Sequence, residues 1–231
     1  MGWLDEIGKS IPVEKIYDDL ARKSVMEIGE IATNTVKAAR CILAPIDYLA
    51  AKQDKLQRHL KRVNEKVPEE RQINALPLIT GPIIEGLTYV DEESLLSEMF
   101  ENLLARAIDK DRVDEAHPAF SKIISQLAPD EAIILSHYKS ESFDMSLVYI
   151  HDKEFGLAID KKVIENEFPV ENLIFPQNYL MYLDHLRNLN LLTIYNDFRH
   201  SKEDFPSHHQ LCLQKTKLTD FGQLFTKACM P

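Results

Sequence analysis

The chain has 231 residues, 45% hydrophobic and 28% charged, enough apolar material for one large domain or two small ones. Its net charge of −10 excludes a protein that coats nucleic acid through charge alone, because an acidic surface repels a phosphate backbone. The opening MGWLDEIG lacks the basic-then-apolar order of a secretory leader, and the most apolar run, 38–51, is broken by Arg40, Pro45 and Asp47. A cytoplasmic protein without a transmembrane segment is therefore expected, with peripheral membrane contact left open.

The charge is unevenly placed. Residues 1–90 hold 13 Lys/Arg against 13 Asp/Glu, residues 91–135 hold 4 against 11, and residues 136–231 hold 10 against 13. The middle of the chain is the acidic part. Cys41, Cys212 and Cys229 are far apart and outside any C-x-x-C, the pattern of reduced cysteines in a cytosolic protein.

Residues 1–66 are expected to form long helices. From 13 to 43, Ile16, Leu20, Ile28, Ile31 and Val36 recur at helical spacing, with Asp18 and Asp19 in the opening turns. Pro45 should break or kink this run. From 46 to 66, Leu49, Leu56, Leu60 and Val63 make an apolar stripe beside a basic one of Lys52, Lys55, His59, Arg62 and Lys66. Such a basic stripe is a contact candidate for an anionic lipid surface, RNA or an acidic protein. The acidic segment 91–115 of the same chain competes for it.

Residues 67–90, VPEERQINALPLITGPIIEGLTYV, hold three prolines and two glycines among β-branched residues, which predicts an extended connector. The helical middle region, 91–128, resumes with Leu95, Leu96, Met99, Phe100, Leu103, Leu104 and Ala107 on a wide apolar face. Pro118 then suits the first turn of another helix, which Phe120, Ile123, Ile124 and Leu127 bury.

From 129 to 231 a winged-helix-like domain is expected. Pro129 starts a helix with Ile133, Ile134 and Leu135 inside, and 143–150 with 155–159 reads as a short β pair. QNYLMYLDHLRNLNLLTIY is a helix running into a strand, with Leu180, Leu183, Leu186 and Leu189 inside. The charged loop NDFRHSKEDFPSHH, a second strand QLCLQKTKL and a final helix capped by Thr219 complete the order of a winged helix. The fold class is thus mainly α, with N-terminal long helices followed by this α+β module.

Three motifs bear on chemistry. Asp114-Glu115-Ala116-His117 spells a helicase DEAH box, but such a box needs a phosphate-binding loop before it. The nearest match, Gly81-Pro-Ile-Ile-Glu-Gly86-Leu87-Thr88, has leucine in place of the lysine and a proline that removes a backbone donor. Arg112 and His117 have the spacing of the Arg-x4–6-His pair of HEPN-type ribonucleases. Against that pair, the proline after His117 disfavours helix at the histidine, and Asp109, Asp111, Asp114 and Glu115 surround the arginine.

The third motif is the expected recognition helix, 177–190. Gln177, Asn178, His185, Arg187 and Asn188 offer groups for base edges or phosphates. The helix nevertheless has one arginine and no lysine, and the loop after it sets Arg199 and Lys202 against Asp197, Glu203 and Asp204. Protein contact suits it better than DNA. His200, His208, His209 and Cys212 do not have the spacing of a metal site. No metal or other cofactor is expected.

Four segments carry a wider resemblance: IYDDLARKSVMEIGEI, LAAKQDKLQRHLKRVNEKVPEERQI, GPIIEGLTYVDEESLLSEMFENLLARAID and HPAFSKIISQLAPDEA. Together they resemble the Abi-alpha (abortive infection alpha) family of bacterial proteins, in order, over 13–227. The resemblance implies a role in anti-phage defence by sacrifice or arrest of the infected cell. It brings no catalytic set. The function expected is a sensor or assembly module acting through a protein partner or a homo-oligomer. The alternatives are an RNA-cleaving toxin using Arg112 and His117, or a DNA-binding regulator.

Overall fold

The computed structural model describes residues 35–152, 158–199 and 209–231, without the side chains of 35–50 and 199. Residues 13–34 of the first expected helix, the side chains of Cys41 and Leu49, Phe155 and residues 200–208 of the charged loop lie outside what is described. The chain divides between Ser121 and Lys122 into two compact units.

The first unit is helical. Helix α1 (Thr35–Lys66) runs unbroken through Pro45, so of the expected break or kink the break is corrected. The proline forfeits one backbone bond, but Ala, Leu, Lys, Arg and Gln on either side are strong helix formers. Leu56, Leu60 and Val63 of its apolar stripe are buried.

The expected extended connector is also corrected. Residues 67–76 hold only a short 3-10 turn, Glu69–Arg71, but Pro77–Tyr89 is helix α2. Its prolines and glycines are not acting as breakers. Pro77 lies in the first turn, where a missing N–H costs nothing. Gly86 faces the ring of Phe100, which stands 2.4 Å from where a Cβ would sit. Glycine here is a packing requirement between α2 and α3 (Leu95–Ala107), which Ser94 caps by accepting from Ser97 N at 3.1 Å. Met99, Phe100, Leu103, Leu104 and Ala107 form the buried face of α3.

Residues 67–73 return along the end of α3, where Gln72 bridges to Asp109 and Ile73 N donates to Ile108 O at 2.8 Å. A 3-10 turn, Val113–Glu115, leads to α4 (Phe120–Ile124), which straddles the boundary between the units.

The second unit overturns the mainly α, all-α expectation. Helix α5 (Pro129–Tyr138) is followed by β1 (Phe143–His151) and β2 (Ala158–Asn166), then α6 (Tyr179–Asn188), β3 (Leu192–Arg199), β4 (His209–Leu218) and α7 (Asp220–Cys229). The four strands form one antiparallel sheet in the order β2-β1-β4-β3, so the fold is α+β. The winged-helix assignment falls with it. Strand β4 pairs along its length with β1 as well as with β3, from Phe143↔Thr216 to Ile150↔His209. The two strands expected to flank the charged loop of a winged helix are half of a four-stranded sheet.

One face of that sheet is the core, with Phe143, Met145, Leu147, Leu192, Cys212 and Thr216 buried. Tyr138, Phe143, Phe168 and Tyr179 pack there as an aromatic cluster, with Phe168 stacked on Tyr179 at 4.9 Å. The α6–β3 turn passes through Asn190 in the left-handed region, φ 59°. Thr219 caps α7 by accepting from Gly222 N at 2.8 Å, as expected.

Candidate functional site

The basic stripe of α1 is occupied within its own unit. His59 is fully buried, its Nδ1 2.7 Å from Oε1 of Glu101, a residue of α3 that is itself buried. Arg62 Nε donates to the same oxygen at 2.7 Å, and Arg62 Nη1 lies 3.4 Å from Glu92 Oε1. Lys66 donates to Asn102 Oδ1 at 2.6 Å. Lys55 donates to Val90 O, and Lys52 stands 4.7 Å above the ring of Tyr89. Arg58, on the same helix, holds Glu92 through two bonds of 2.7 and 2.9 Å.

The electrostatics follow the contacts. The Arg58 hydrogen bond holds the Glu92 carboxyl down at about 2. Burial pushes the Glu101 carboxyl up, but hydrogen bonds from His59 and Arg62 outweigh it and hold the group below its ordinary value. This seam binds helix to helix.

The segments carrying the helicase-like and ribonuclease-like motifs are tied locally. Gly81–Thr88 lies inside α2, so its amides serve the helix rather than a phosphate. Arg112 and His117 stand on either side of the 3-10 turn, with no helix common to both. Arg112 donates to Glu115 Oε2 at 3.1 and 3.2 Å, and Arg106 stands 3.0 Å from the same oxygen. His117 Nδ1 accepts from Ala119 N at 3.1 Å, closing the turn that leads into α4.

The third set lies on α6. Tyr179, Tyr182, Leu183 and Leu186 face the core, so two tyrosines take places the leucine spacing assigned to Leu180 and Leu189. Gln177, Arg187 and Asn188 are exposed, Asn178 is half-buried, and Asp184 stands exposed among them. His185 is anchored, with Nδ1 2.7 Å from Glu131 Oε1.

Two residues missed by sequence reasoning position this surface. Asp130 and Glu131, in the first turn of α5, are 1% and 2% exposed. Asp130 accepts from the backbone N–H of Ile174 and Phe175 at 2.7 and 2.8 Å. Glu131 accepts from Ala128 N at 2.8 Å and holds His185. Burying carboxylates is costly unless each is fully hydrogen-bonded, and here the bonds fix the loop before α6 and α6 itself. That loop carries Ile174 and Phe175, 60% and 51% exposed, and α6 carries Met181, 57% exposed. The acidic pair directly after Pro129 was the available sign of a helix start, but its distant partners were not readable.

Among the described residues no group of three or more His, Cys, Asp or Glu is arranged to hold a metal. No helix among them is long and apolar enough to cross a membrane. A family model described as Abortive infection alpha matches residues 51–229. No curated protein and no solved structure matches the chain.

Proposed function

Because the chain belongs to the abortive infection alpha family, we propose that it serves bacterial defence against phage as a sensor or assembly module acting through protein contacts. The observation that carries the contact reading is the loop–helix surface of the second unit. Ile174 and Phe175 stand in solvent on a backbone pinned by the buried Asp130, and Met181 is exposed on α6, which the buried Glu131 holds through His185. Apolar anchors within a polar rim of Gln177, Arg187 and Asn188 have the composition of a protein interface. Fixing them beforehand lowers the ordering cost of binding. Asp184 in the middle of the exposed face opposes a phosphate backbone, and Arg112 and His117 each have local partners. Neither geometry favours the regulator or the ribonuclease.

The test is phage challenge of bacteria expressing the full chain, its Phe175→Asp variant or its Arg112→Ala/His117→Ala variant. Plaque counts and culture survival are read alongside co-purified proteins. The expected result is protection by the parent and the double variant, and loss of protection with an unchanged melting curve for Phe175→Asp. Protection that survives Phe175→Asp but disappears in the double variant overturns the contact reading.

A further inference from the structure

We propose that the second unit binds a small phosphorylated compound, of nucleotide size, in a cleft at the end of its sheet. The cleft is separate from the α6 surface, and its role does not depend on that surface being a contact.

The cleft has a volume of about 460 Å³ and lies between the turn joining α5 to β1, the last residues of β4, and α7. Antiparallel pairing of Phe143 with Thr216 sets Ser142 beside Lys217 at the sheet's end. Gln223, Thr226 and Lys227 follow one another at i, i+3 and i+4 on α7, so they share one face of that helix. Lys139, Lys217 and Lys227 thus border one cleft from three different elements, and Ser140, Ser142 and Gln223 add neutral donors.

The charge there runs against the rest of the segment. Residues 136–231 hold 10 Lys/Arg and 13 Asp/Glu. Three of the ten border the cleft, against Glu141 alone of the thirteen. Ammonium groups and hydroxyls suit the several acceptor oxygens of a phosphate.

These lysines are not needed to cap carbonyls, a common use of a cation at a helix C-terminus. Backbone groups already serve there. Lys139 N donates to Leu135 O at 3.0 Å, Ser140 N and Glu141 N to His137 O at 3.1 and 3.2 Å, and Met230 N to Thr226 O at 2.9 Å. The Lys139 ammonium donates to Pro231 O, and that of Lys217 stands 5.2 Å from the ring centre of the exposed Tyr195. Both are solvent-exposed contacts, weak enough for a charged ligand to displace.

The volume falls within the range of small-molecule sites, roughly 300–1,000 Å³. A nucleic-acid strand suits the cleft less, because the net charge of −10 repels an extended phosphate backbone.

The experiment titrates the full chain calorimetrically with ADP and with inorganic pyrophosphate, in low salt where screening is weak. Both probes should bind with Kd below about 1 mM, and both should raise the melting temperature of the parent. Lys217→Gln/Lys227→Gln should weaken each at least about tenfold through lost charged hydrogen bonds. Lys122→Gln, exposed and outside the cleft, should change neither. Melting curves without ligand report folding, and Lys217→Gln alone repeats the comparison if the double variant melts early. Absence of binding by both probes overturns the proposal, as does an equal loss in Lys122→Gln. Binding of ADP without pyrophosphate rules out anchoring through phosphate. Single-stranded RNA that binds and is displaced by neither probe assigns the lysines to nucleic acid instead.

Discussion

His59 and Glu101 meet at 2.7 Å with side chains 0% and 4% exposed, 42 residues apart in sequence. The imidazole Nδ1 lies at hydrogen-bond distance from the carboxylate and 2.8 Å from Arg62 Nη2, and Arg62 Nε donates to the same carboxylate oxygen. The pair joins α1 to α3 in the first unit. Its geometry converts a row of cations that looked available for an external anion into an internal seam.

Removing the carboxylate should be costly, because the buried His59 and the half-buried Arg62 each lose a hydrogen-bond partner on it. Glu101→Ala is expected to cost about 3 kcal/mol, and Glu101→Gln less, since its amide oxygen still accepts. Denaturant unfolding of both variants checks this. A loss below about 0.5 kcal/mol for Glu101→Ala, the range of ordinary surface changes, would show that the seam is not structural.

Acid should unfold the first unit through the same groups. Glu92, Glu101 and Asp109 all lie below their ordinary values when folded. For Asp109, burial pushes the carboxyl up and the hydrogen bond from Arg71 outweighs it. A depressed carboxyl contributes stability that is complete above the unfolded value and lost as pH falls through the folded one. For Glu92 that window runs from 4.5 down to about 2. Melting temperature should fall across it, and Glu92→Gln should flatten the fall. An identical slope in the variant would remove Glu92 from the account.

Two glycines make opposite predictions. A Cβ at Gly222 would stand 2.0 Å from Leu191 O, whereas one at Gly81 meets nothing within 4 Å. Gly222→Ala should destabilise by about 3 kcal/mol or more, since backbone cannot yield cheaply. Gly81→Ala should stabilise by up to about 1 kcal/mol through helix propensity. Thermal melts of the two variants suffice, and equal effects would contradict the packing described.

Asp130→Ala should release the loop before α6. The Ile174 and Phe175 amides lose a charged acceptor, so their hydrogen exchange should rise by at least about tenfold. Amides of β1 and β4 should keep their protection. Uniform acceleration would mean instead that Asp130 supports the whole unit.

The sequence was legible where the physics is local. Helical spacing located the buried faces of α1 and α3, Pro129 marked the start of α5, and Thr219 was recognisable as a cap because cap and recipient are three residues apart. Pro77, Pro82 and Gly86 misled for a related reason. Their composition is that of a connector, but their role depends on what lies opposite, and Phe100 lies opposite Gly86. The basic stripe and the acidic middle were each visible, and the acidic middle was the right kind of partner. Glu101 at the centre of it was hidden among the apolar residues of α3.

The sequence by itself determined the family, the helical character of the first unit and the order helix, strand, strand, helix at the end. All of these rest on patterns within a few turns of chain or on matching segments. Only the tertiary structure decided that β4 lies between β1 and β3, that α1 spends its cations on Glu92 and Glu101, and that Asp130 holds Phe175 toward solvent. Strand order and buried ion pairs depend on groups tens of residues apart. Their free energy comes from desolvation and pairing in three dimensions, which periodicity along one chain does not encode.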